Sequence, residues 1–97
     1  MDDFDFKFNE ERNVAVFTVK QIIRQQKPVL YVSHDEEDGA WQFLTGEPVE
    51  EKDSMIVLLE EMIAHDPTIN ELFDLPEGYY AIRDFVGDVW FRQKQTR

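Results

Sequence analysis

Only one stretch of this chain repeats apolar residues at helical spacing over several turns. Met55, Leu58, Leu59, Met62 and Ile63 fall on one stripe, with Glu60 and Glu61 on the opposite side. That spacing predicts one main helix over about 54–65, capped by Asp53 or Ser54 and ended by Asp66-Pro67. The stripe is wide enough to cover one face of a sheet. Elsewhere the apolar residues come in short runs rich in β-branched and aromatic side chains, the mark of strands. Phe4, Phe6 and Phe8 alternate with Asp5 and Lys7, and further runs lie at 14–17, 29–32, 40–45, 79–85 and 89–93.

Asp38-Gly39 suits a tight turn needing positive φ, so runs 29–32 and 40–45 are expected to form a hairpin at the centre of the sheet. Thr18 is placed to cap a short helix over 19–26, closed by Pro28, with Ile22 and Ile23 facing inward. Thr68-Ile69-Asn70-Glu71 has the spacing of a capping box and predicts a second short helix. The expected class is α+β: a mainly antiparallel sheet with one main helix and two short ones packed against it. At 97 residues the chain has room for one domain, 1–97, with fraying expected at 1–3 and 94–97. It has no cysteine, so disulfides, thiolate metal sites and a cysteine nucleophile are excluded. Stability must come from the hydrophobic core, for which 13% aromatic content is ample material.

The formal charge is −11, and it is unevenly spread. Between Asp35 and Glu77 fourteen acids face a single base, Lys52, while the rest of the chain is slightly basic. Such a field repels nucleic acid and anionic membranes and attracts a cationic protein. It also keeps a small protein dispersed, a sufficient reason for acids by itself. The first residues are acidic where a secretion signal needs cations, and the longest apolar run, 55–59, falls well short of the ~20 residues that span a bilayer. A cytoplasmic protein is expected.

Catalytic patterns are weak. Ser33-His34-Asp35 has the residue types of a hydrolase triad, but successive strand residues point to opposite faces, so adjacency opposes the required geometry. His34 and His65 lack metal-ligand spacing, and the 35–39 loop lacks the alternation of a calcium loop. No cofactor is expected. Trp41 and Trp90 read either as core aromatics or, for one of them, as an anchor exposed beside the acidic loops.

The chain resembles a small bacterial family of immunity proteins from polymorphic toxin systems, formerly catalogued as a domain of unknown function. The resemblance lies in Pro28-Val29-Leu30-Tyr31-Val32, in Asp38-Gly39-Ala40-Trp41-Gln42-Phe43 with Gly46-Glu47, in His65-Asp66-Pro67-Thr68-Ile69, and in Pro76-Glu77-Gly78. It covers most of residues 14–85. The family favours Asp-Ser-Gly-Trp at the hairpin and an Arg after the first strand, where this chain has Asp38-Gly39-Ala40-Trp41 and His34. The resemblance implies a stand-alone α+β domain that neutralises a toxin by binding, without catalysis.

Charge and resemblance converge on a non-catalytic binding protein whose acidic face occludes a basic protein surface. The expected partner-binding residues are Asp35, Glu36, Glu37, Asp38, Trp41, Glu47, Glu50, Glu51 and Asp53. The alternative is a structural or regulatory module that self-associates or binds another cellular partner, which an uncovered sheet face would favour.

Overall fold

Six strands form one sheet in the order β4-β1-β3-β2-β5-β6 in a computed structural model that describes residues 6–96. They are β1 (Ala15–Val19), β2 (Tyr31–His34), β3 (Trp41–Leu44), β4 (Ser54–Leu58), β5 (Tyr79–Ile82) and β6 (Phe91–Lys94). Only β1 and β3 run parallel; every other neighbouring pair is antiparallel. The helices are α1 (Lys20–Ile23) and α2 (Leu59–His65), with 3-10 turns at Glu51–Asp53 and Pro67–Leu72. This is the α+β class with a mainly antiparallel sheet, and the β2–β3 hairpin lies at its centre. Gly39 supplies the turn's positive φ of 71°, and the Asp38 carboxylate accepts the Ala40 N–H at 3.0 Å.

The main helix is shorter than its stripe predicts. Ser54–Leu58 is a strand paired along its length with β1, and the helix begins at Leu59. Met55 and Val57 keep their inward orientation as alternate strand residues, so the apolar run served either period at that point. Ile56 and Val57, β-branched, favour the strand. Asp53 therefore caps the preceding 3-10 turn, accepting the Glu50 N–H at 3.1 Å. The α2 start is served by Glu61, whose carboxylate accepts the Leu58 N–H at 2.8 Å.

Two other expected caps change role. Thr18 lies in β1 and its hydroxyl donates to the Phe43 carbonyl at 2.8 Å, tying β1 to β3. The helix after it is a single turn with Ile22 fully buried. At Pro67–Leu72 the cap is Asp66, which accepts the Thr68 N–H at 3.0 Å, with Pro67 in the first helical position. The Phe4–Phe8 strand falls partly outside the described residues; Phe6 to Phe8 form no strand, and Phe8 packs edge-on to Trp41, 4.9 Å between ring centroids. Lys94 completes β6, and the Gln95 N–H bonds the Gly78 carbonyl at 2.7 Å, so pairing continues into the segment expected to fray.

One sheet face carries the core. Val16, Val32, Trp41, Phe43 and Ala81 meet Ile22, Leu59, Met62, Ile63, Ile69 and Leu72 from the helical segments. Arg83, at the end of β5, is buried on this side with its donors committed. It donates to the Val29 carbonyl at 3.0 Å, the Thr68 hydroxyl at 2.8 Å and the Asp66 carboxylate at 2.9 Å, and lies 4.2 Å over the Trp90 ring. A buried ion pair bonded from all three guanidinium nitrogens fixes where Pro67–Leu72 sits against the sheet.

Candidate functional site

Side chains alternate across a sheet, so each residue on the core face has a neighbour on the other. Registers place Ile56, Phe17, Gln42, Ser33, Tyr80 and Gln93 in one row across that second face. A second row carries Tyr31, Ile82 and Phe91, next to Leu44. Among the described residues, the buried apolar side chains of the helical segments all join the core on the other face. The consequence is exposed apolar surface: Ile56 is 65% and Phe91 60% exposed, and Phe17 and Ile82 are exposed too. These form two apolar groups, Phe17 with Ile56 and Ile82 with Phe91, on either side of a centre that carries Gln42 and Ser33. Grouped exposure on one face, unlike scattered single residues, is a feature of interfaces.

The strands' directions place the acidic residues at the two ends of this open face. The turn at 35–38 follows β2 at one end, while segment 46–53, from β3 to β4, passes at the other. A four-residue strand separates them, about 13 Å at ~3.3 Å per residue. The acids therefore form two rims bracketing the open face, where sequence had suggested one continuous surface. Asp35 and Glu47 nonetheless line the same open groove, of about 660 Å³, together with Tyr31, Ser33, Gln42 and Tyr80. Glu36, Glu37, Asp38, Glu47, Glu50 and Glu51 are at least partly exposed. Lys27 stands 3.9 Å from Glu47 and Lys52 3.3 Å from Glu50, exposed pairs that water screens heavily.

Two expected contact residues are removed from this surface. Trp41 is 2% exposed and belongs to the core: its indole N–H donates to the Glu10 carboxylate at 2.9 Å. It points away from the open face because its neighbour Gln42 occupies that side. Asp53 is buried beneath its turn, held by Gln21 at 3.0 Å and Lys20 at 3.4 Å. The hydrogen bond from Gln21, then that from the Glu50 N–H, keeps its carboxyl below the ordinary carboxylate value, with Lys20 adding to the effect.

The triad-like trio is split as alternation requires. Ser33 lies on the open face, while His34 is buried on the core face and stacked on Trp41 at 4.0 Å. The His34 Nδ1 is 2.7 Å from the Leu75 carbonyl, which can only accept, so that nitrogen carries a proton and donates. Trp90 is half-buried against the core under Arg83, away from the acidic rims. Among the described residues no three His, Asp or Glu side chains gather as metal ligands would, and no helix is long and apolar enough to cross a membrane.

The residues that sequence reasoning missed are Phe17, Tyr31, Ser33, Gln42, Ile56, Tyr80, Ile82 and Phe91. A usable signal was present: a single long helical stripe can cover one side of a sheet, which leaves alternate strand residues on the other side without a layer.

No family model matches this chain, and neither a curated protein nor a solved structure is detectably similar to it. The resemblance to immunity proteins therefore stands on the short motifs alone.

Proposed function

We propose that this chain is a non-catalytic, cytoplasmic binding protein that occludes a basic surface of another protein with the open face of its sheet. One observation carries the reading: an uncovered apolar and aromatic face is bracketed at both ends by acidic segments. The carboxylates steer a cationic partner to the face, and the apolar rows supply area that leaves water on contact. The short-motif resemblance narrows the partner to a toxin domain, whose substrate cleft the docked protein would block.

Immobilised protein is expected to capture a basic protein from the native host at ~50 mM salt and to lose most of it by ~300 mM, where the screening length falls below ~8 Å. The double variant Asp35→Asn, Glu47→Gln should weaken capture of that same protein. Capture indifferent to salt and to both carboxylates contradicts the reading.

The uncovered face also favours a second reading, self-association. A two-fold dimer through this face would bring both acidic rims against their own copies, at −11 per chain. Sedimentation separates the two: a monomer supports occlusion, and a tight dimer whose interface is this face replaces it.

A further inference from the structure

The groove of the open face has a chemistry more specific than apolar area. Tyr31, Ser33 and Asp35 alternate along β2 and just beyond it, so all three project to the same side. The Tyr31 and Tyr80 rings stack at 5.5 Å and 16°, forming a flat aromatic wall. Gln42, opposite Ser33, donates its side-chain N–H to Asp35 Oδ2 at 2.9 Å. That bond fixes the carboxylate and leaves Oδ1 without a hydrogen bond among the described residues. Ser33 is only 4% exposed, yet its hydroxyl has no hydrogen-bond partner among the described residues while its side chain lines the groove. The hydroxyl is not among the buried atoms left without a partner, so it is open to the groove and available to a ligand in place of water. Glu47 adds a second carboxylate at the other end.

From these features, and resting on the occlusion reading, we infer that the groove is a socket for an arginine side chain of the partner. A guanidinium is planar, so it can lie against the tyrosine wall while its fork of donors meets a carboxylate and a hydroxyl together. Lysine offers a compact charge that satisfies the carboxylates but neither stacks nor forks. The Tyr31 hydroxyl is pushed above its ordinary value, by burial first and then by Tyr80 and Asp35. That ring therefore stays protonated and uncharged through neutral pH.

The test needs no partner. Isotope-labelled protein is titrated with N-acetyl-arginine methylamide, its lysine counterpart and its uncharged citrulline counterpart, and amide shifts are followed. The arginine compound should give saturable shifts centred on Tyr31, Ser33, Asp35 and Tyr80, in the roughly millimolar range expected of so small a ligand. The lysine compound should bind several-fold more weakly and citrulline not measurably. Asp35→Asn should weaken the arginine compound about tenfold, the size of one lost charge-assisted bond, with the remaining spectrum unchanged. Shifts that do not saturate, that citrulline reproduces, or that survive Asp35→Asn overturn the socket. The two ideas fail separately. A salt-sensitive basic partner alongside a failed arginine titration removes the socket and keeps occlusion, and saturable arginine binding without any basic partner does the reverse.

Discussion

The two faces of this sheet are made from the same strands by the same alternation, yet they are covered differently. On the core face Val16, Val32, Trp41, Phe43 and Ala81 are buried, and Arg83, the charge on that side of β5, is buried with its donors bonded. On the open face Phe17, Ile56, Ile82 and Phe91 remain in water, and Ser33 lines an open groove. Their difference is not hydrophobicity, since both carry large apolar side chains. It lies in what covers them: among the described residues the helical segments form a layer on one face and none lies over the second. A face that contributes little to folding is free to contribute to binding.

If that division holds, substitutions on the two faces should separate cleanly. The largest effect is expected at Phe43→Ala, which opens a cavity in the fully buried core and should cost about 4 kcal/mol in chemical denaturation. Natural domains have only about 5–15 kcal/mol in total, so the variant should be barely folded. Next comes Arg83→Met, expected to cost about 3 kcal/mol because it leaves the Asp66 carboxylate buried without its cation. Adding Asp66→Asn should restore much of that loss in the same assay; a double variant no better than the single one would show that the pair is not coupled.

Acid sharpens the comparison at the boundary between the faces. Asp53 has its folded value below the ordinary 3.8, chiefly through Gln21, so its stabilisation is complete above that value and is lost as pH falls through the folded one. The melting-temperature gap between wild type and Asp53→Asn should therefore be full near neutrality and close below about pH 4. A gap that is constant with pH means the carboxylate's charge is not what the turn uses. The smallest stability effects belong to the open face: Ile56→Ser and Phe91→Ser should each stay within about 0.5 kcal/mol of wild type. Either variant unfolding like Phe43→Ala would erase the distinction.

Much of the architecture was legible because local signals agreed with the fold. The Asp38-Gly39 turn, the central hairpin and the inward stripe of α2 follow from turn chemistry and periodicity. The boundary at Leu59 was not, because Met55 and Leu58 satisfy the helical period, and only pairing with β1 decides for the strand. The candidate site was legible in charge and hidden in topology. Sequence order brings 35–38 near 46–53, whereas strand direction sends them to opposite ends of the sheet. Trp41 was singled out for its residue type, but its strand parity assigns it to the core while Gln42 takes the open side. Parity can be read from a sequence; which parity is covered depends on how far the helical residues reach.

Side-chain oxidation footprinting of the protein alone and with any basic protein it captures tests the open face most directly. Phe17, Tyr31, Tyr80 and Phe91 should lose reactivity in the complex, while Phe73, exposed on the helical side, should react unchanged. Protection of Phe73 with those four residues still fully reactive would place the partner on the covered side and contradict the assignment of binding to the open sheet face.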